Sequence, residues 1–151
     1  KYIENIIYHS YSKDIVFIED YAFLISALND LSDATMNFKF KDLARKFSQE
    51  AIAKFFLEDK NIFQKNPKNN NDVFFNPIDI GDNTIPNGNA IMLINLIKCG
   101  MMDEAQKLFN SLNGYLNIHK NHMMTAIRAL DFFNKINSGK NCNEKGCKIN
   151  D

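Results

Sequence analysis

The chain of 151 residues contains no tryptophan, three prolines, six glycines, three cysteines and only two arginines. Three cysteines are too few, and odd in number, for the disulfide framework of a small secreted domain. Charge of one sign is also lacking, because 18 Lys and Arg balance 18 Asp and Glu. The basic residues are scattered, which leaves no electrostatic case for nucleic acid or an anionic membrane as a partner. No run approaches the roughly 18 apolar residues of a membrane helix. The apolar stretch near the start is short, is broken by Asn5, His9 and Ser10, and lacks the layout of a signal peptide. Glycine-rich phosphate loops, serine-hydrolase elbows and a Cys-x-x-Cys redox motif are absent, so no cofactor is expected. A soluble cytoplasmic protein is the resulting expectation.

What is present is a core-forming composition: 45% hydrophobic and 24% charged residues, with aromatics supplied by thirteen Phe and five Tyr. One ordinary domain can be built from this length. The excess of Lys over Arg and the many Asn and Ile resemble AT-biased coding, so single Lys and Asn residues carry little functional weight.

The spacing of apolar residues predicts helices. Residues 1–12 read as the end of a helix with no cap before it, as though the chain began inside an element. A helix is predicted over 18–36, with Phe17, Tyr21, Leu24, Leu28 and Leu31 on one face and Glu19 and Asp20 in its first turn. A second over 40–58 carries Phe40, Ala44, Phe47, Ala51 and Phe55, and the short loop makes the two an αα-hairpin. Residues 59–84 break the pattern. Ile62-Phe63 and Val73-Phe74-Phe75 flank a turn at Pro67 and Asn69–Asn71 and are expected to pair as a short β-hairpin near 60–76. Helices follow at 87–98, ending before Gly100, at 102–117 with Ala105, Leu108, Leu112 and Leu116 inward, and at 121–136. Residues 137–151 read as a flexible polar tail after a 1–136 domain.

The expected fold class is therefore all-α, a partial (α/α) toroid of antiparallel helical hairpins. If the hairpins curl into a ring, the first, third and fifth helices line its inside and run parallel. Their starts then share one mouth: Glu19-Asp20-Tyr21, Asp82 to Asn89, and His119 to His122. Asp20 or Glu19 there suits an acid or base, with Tyr21 as donor or stacking surface; taken alone, the segment more readily reads as a helix cap at Asp20 and core packing by Tyr21. Asn87, Gly88 and Asn89 suit ligand oxygens at a helix start, or a capped turn. His119 and His122 share a helix face, and Cys142 and Cys147 flank a polar, glycine-containing segment. Their spacing matches no metal site, so no metal is expected. Cys142 and Cys147 could also pair, while Cys99 reads as a buried thiol.

Several of these segments together resemble a known family. Glu19-Asp20-Tyr21-Ala22-Phe23-Leu24-Ile25 resembles the start of an inner helix in large proteins that join a thioredoxin-like domain to a six-hairpin α/α toroid, the family of spermatogenesis-associated protein 20 and its bacterial relatives. Ile85-Pro86-Asn87-Gly88-Asn89-Ala90 is similar to its proline–small–glycine–asparagine motif, with Asp82 just before it. Phe55-Phe56, Phe63 and Val73-Phe74-Phe75 have the order and spacing of its aromatic excursion. The resemblance covers about residues 3–136. Departures are Asp59-Lys60-Asn61-Ile62 in place of a glycine-rich turn, Asn87 where Ser is usual, and a drifted loop at 65–83.

The resemblance implies that this is the C-terminal part of a longer protein, whose thioredoxin-like domain and earlier hairpins lie outside the chain. It also implies kinship with glycoside hydrolases and N-acylglucosamine epimerases, which build the same toroid around a sugar cavity. On that reading a carbohydrate is the ligand. Asp20, with Glu19 as second choice, and Asp82 are the catalytic carboxylates; Tyr21, Asn87, Gly88, Asn89 and His122 contact substrate. An epimerase would instead use His119 or His122 as acid and base. The other expectation is a non-catalytic scaffold or interaction module beside the absent thioredoxin-like domain. A partial ring should also expose apolar surface along its first helix, or self-associate to cover it.

Overall fold

The computed structural model describes residues 15–68 and 77–139, together with Ile7, His9 and the backbone of 142–143 and 146–147. The helix predicted within 1–12 and the strand predicted at 73–75 lie outside the described residues.

Helix α1 spans Ile18–Thr35 and α2 spans Phe38–Phe55. Phe17 precedes α1 with extended backbone and has no side-chain acceptor. Asp20 serves instead: its Oδ2 accepts the Phe17 N–H at 2.8 Å, tying the third residue of the helix back to its entry. The Ile18 N–H, another free helix-start donor, reaches the Lys65 carbonyl at 3.1 Å. Met36 then turns left-handed and Asn37 caps α2 by accepting from the Lys39 N–H at 3.1 Å. Two linking residues leave α2 no course but to run back along α1.

After α2 the chain forms two short antiparallel strands, β1 (Phe56–Leu57) and β2 (Ile62–Phe63), with Phe56 opposite Phe63. This corrects the predicted hairpin: the partner of Ile62-Phe63 is the segment directly before it, and α2 ends three residues early. Asn61 explains the turn. It holds φ 51°, a left-handed conformation that Asn tolerates, just after the Lys60 N–H closes on the Leu57 carbonyl.

Helix α3 (Gly88–Lys98) is capped by Asn87, whose side chain accepts from the Ala90 N–H at 3.1 Å. It ends where Gly100 takes φ 73° and the Met101 and Gly100 N–H groups bond back to Leu96 and Ile97. Helix α4 (Met102–His119), a single 3-10 turn at Lys120–His122 and α5 (Met124–Asn137) follow. Two further short strands, β3 (Cys142–Asn143) and β4 (Gly146–Cys147), pair antiparallel.

The helices stack in two layers. In one, α3 lies between α1 and α5; in the other, α2 covers α1 while α4 covers α3 and α5. Helices α1, α3 and α5 run parallel. Lys98 at the end of α3 meets Asp30 near the end of α1 at 2.8 Å, and Tyr21 at the start of α1 meets Glu50 and Lys54 near the end of α2. Ala44, Phe47, Ala51 and Phe55 of α2 are buried, as are Ala105, Leu108 and Leu112 of α4. The first helix departs from its predicted stripe. Its buried line is Ile18, Ala22, Ile25, Asn29 and Ser32, beside Tyr21, because α1 is gripped by two helices rather than one. Leu24 and Leu28 are only half-buried and Leu31 is exposed. Past the end of α1, Met36 and Phe38 are 74% and 73% exposed. Among the described residues no helix is long and apolar enough to cross a membrane.

Candidate functional site

The starts of α1, α3 and α5 meet at one end of the bundle. Gly88, the first residue of α3, sits so close to α1 that a Cβ there would lie 3.3 Å from Glu19 Cγ and from Ile18 Cγ2. Asp82, in the loop before α3, joins the other two starts. Its Oδ1 accepts from the Asn87 N–H at 2.9 Å and its Oδ2 from the Thr125 N–H, in the first turn of α5, at 2.7 Å. The Asp82 N–H itself donates to the His122 carbonyl at 2.6 Å.

A cleft of 340 Å³ opens at the starts of α1 and α3, lined by His9, Phe17, Glu19, Lys65 and Asp79 and by loop residues including Asn83, Thr84 and Pro86. Glu19 is its distinctive group. One carboxylate oxygen, Oε2, is buried and has no hydrogen-bond partner among the described residues. Burial is the main reason its carboxyl is held above the ordinary range. A backbone hydrogen bond and Lys65 pull the other way, while the nearby Asp79 and Asp20 charges add to the rise. A carboxyl whose pKa is raised keeps its proton to higher pH than an ordinary Glu, and in that form it can donate a proton or a hydrogen bond instead of only accepting. Phe17 and Pro86 supply apolar walls and Lys65 a cation, so the cleft combines a flat apolar surface with donors and acceptors of both charge signs.

The predicted site residues divide sharply. Glu19 lines the cleft, and Asn87 contributes to its wall. Asp20 has both oxygens engaged, Oδ2 by the Phe17 N–H and Oδ1 by His9 Nδ1 at 2.9 Å. Tyr21 is fully buried and turned towards α2. Its hydroxyl accepts from Lys54 Nζ at 2.7 Å and donates to Glu50 at 3.3 Å, and its ring packs edge-on against Phe47 and Phe55. Burial above all raises its phenol pKa, with Lys54 opposing.

Asp82 acts as a cap. Its partial burial works against the charge, but the N–H donors at Thr125 and Asn87 outweigh it and hold the carboxyl below the ordinary range. The Asn87 amide donates to the Asp79 and Gly81 carbonyls. Asn89 is buried against the edge of β2. Its Oδ1 accepts from the Phe63 N–H at 2.9 Å, and its amide donates to the carbonyls of Phe63 and Asp79, both at 3.0 Å. His122 lies apart, exposed beside a shallow polar depression formed with Asn117, His119 and Asn121. Among the described residues no three His, Cys, Asp or Glu side chains cluster as metal ligands.

Sequence reasoning missed Lys65 and Asp79. Neither belongs to a recognisable motif. Lys65 comes to the cleft only because its backbone bridges Ile18 and Pro77, accepting from one and donating to the other. Asp79 is placed by its own carbonyl, held by Asn87 and Asn89. No protein-family model matches this sequence, and neither does any curated protein.

Proposed function

We propose that the cleft at the starts of α1 and α3 binds a small hydroxyl-bearing ligand, a carbohydrate being the class that fits best, and that Glu19 rather than Asp20 is its acid. The observation that carries this reading is Glu19, which lines an open cleft with a raised pKa and whose buried Oε2 has no partner among the described residues. A sugar has an apolar ring face for Phe17 and Pro86 and a rim of hydroxyls for Glu19, Asp79 and Lys65. A hydroxyl that reaches the Glu19 carboxyl would supply a hydrogen-bond partner that it lacks among the described residues. In a glycosidic reaction a protonated Glu19 is suited to give its proton to a leaving oxygen, and Asp79 is the second carboxylate such chemistry needs. Asp82 does not take that part in this reading, because both its oxygens serve helix starts. The cytoplasmic six-hairpin toroid of the resembled family is the wider architecture proposed, with α1, α3 and α5 as inner helices.

A scaffold beside a thioredoxin-like domain is the second reading. It is favoured by Tyr21, Asp82 and Asn89, whose polar atoms are all bonded within the protein, and by the exposed Leu31, Met36 and Phe38, which offer a surface to a partner or a second copy. Titration calorimetry with a panel of mono- and disaccharides separates the two. Saturable binding that is weakened at least tenfold by Glu19→Gln and untouched by Asp20→Asn supports the first. No heat with any sugar, or binding indifferent to Glu19→Gln, removes it.

A further inference from the structure

The cleft leaves the cysteines of the C-terminal segment without a role, and the backbone there puts them in register. Strands β3 and β4 pair antiparallel with Cys142 opposite Cys147 and Asn143 opposite Gly146. Only Glu144 and Lys145 link the strands in sequence, the length of a tight two-residue hairpin. Directly opposed Cα atoms in an antiparallel pair lie about 4.5–5.5 Å apart, inside the range of about 4.4–6.8 Å over which a disulfide closes. A shift of one residue would set a thiol against Asn143 or Gly146 instead, so register is what selects the pair. Two-residue strands are marginal by themselves, and a covalent tie is the kind of constraint that would hold them.

We propose that Cys142 and Cys147 are a redox-reversible modification site, closing a cross-strand disulfide around residues 142–147. The partner oxidant is a low-molecular-weight disulfide such as glutathione disulfide. One cysteine thiolate, its proton lost to solvent, attacks a sulfur of the oxidant and expels one thiolate. The second cysteine, likewise deprotonated, attacks the protein sulfur of the mixed disulfide and expels the other. Two protein thiols are thereby oxidised to one disulfide and the oxidant is reduced to two thiols; excess small thiol reverses both steps. Cys99 stays outside this exchange, because it is buried between Asn29 and Ser48, with its sulfur 3.7 Å from the Ser48 hydroxyl.

The test uses the full chain equilibrated in glutathione buffers, followed by intact mass measurement and non-reducing tryptic mapping. Cleavage after Lys140, Lys145 and Lys148 would leave residues 141–145 and 146–148 joined only through sulfur. The expected result is loss of two hydrogens with no retained glutathione, and a linked tryptic pair that separates on reduction. Cys142→Ser should then retain one glutathione on Cys147. Stable glutathione adducts on both cysteines, a bond between two chains, or free thiols at both positions in fully oxidised buffer would each overturn the proposal.

Discussion

Asp82→Ala is the perturbation whose effect can be worked most directly from the geometry. The carboxylate accepts one N–H at the cap of α3, from Asn87, and one in the first turn of α5, from Thr125. Removing a capping side chain from one helix costs about 0.5–2 kcal/mol, and a carboxylate near a helix start adds about 0.3–1 kcal/mol through the dipole. Asp82 serves two starts, but it is partly exposed and water can replace some of what is lost. We expect about 2 kcal/mol, a fall in Tm of roughly 4–8 °C for a domain near this size. Asp82→Asn keeps one acceptor and should lose about half as much.

The pH dependence is more diagnostic than the magnitude. The folded carboxyl is held below its ordinary value of 3.8, so the unfolded chain takes up the proton first. Its contribution is therefore complete above that value and disappears as pH falls through the lower, folded value. Urea unfolding of wild type and Asp82→Ala should show a gap at pH 7 that narrows on acidification below about pH 4. A gap under about 0.5 kcal/mol at neutral pH, or one that persists unchanged in acid, would refute the cap assignment.

Glu19→Gln should act in the opposite sense. A carboxyl raised by burial favours the folded state below its ordinary value of 4.5 and loses that contribution as pH rises through the folded value, so the variant should be the more stable protein at pH 7 and show a flatter stability profile above pH 4.5. Asn89→Ala strands the N–H and carbonyl of the fully buried Phe63, and should cost about 2–4 kcal/mol in urea unfolding, with faster hydrogen exchange at Phe63. Gly88→Ala gains helix propensity but sets a Cβ against Ile18 and Glu19, so stability should fall by less than about 1 kcal/mol while sugar affinity falls further, measured by melting and calorimetry together.

Helical periodicity served well where a helix turns a single face to the core. The buried residues of α2 and α4 follow their predicted stripes because each presents one face to the layer below. It failed on α1, which packs against both α2 and α3 and buries polar positions that no apolar pattern reveals. Asn29 lies against Cys99, and Ser32 donates to the Asn37 carbonyl. The strand partner of Ile62-Phe63 was misjudged because Phe56-Leu57 reads as the continuation of a helical stripe; only the left-handed Asn61 marks the reversal. Of the two adjacent carboxylates, Asp20 suited a cap from the sequence. That Glu19 faces the cleft depends on Gly88 bringing α3 against it, a contact between residues far apart in the chain.

The loop from Asp79 to Asn87 has consequences for which insertions the chain can accept. Two amides hold the Asp79 carbonyl, and one carboxylate farther along spans two helix starts, so each length of this loop is fixed at both ends. One added residue between Asp82 and Asn87 would oblige α3 or α5 to give up its place. The turn at residues 58–61 is bound far more lightly, by an exposed Lys107–Glu58 ion pair and a Ser111 hydroxyl donating to Lys60. Length variation should therefore collect at that turn, while the cleft loop should vary only in the residues whose side chains reach the cleft.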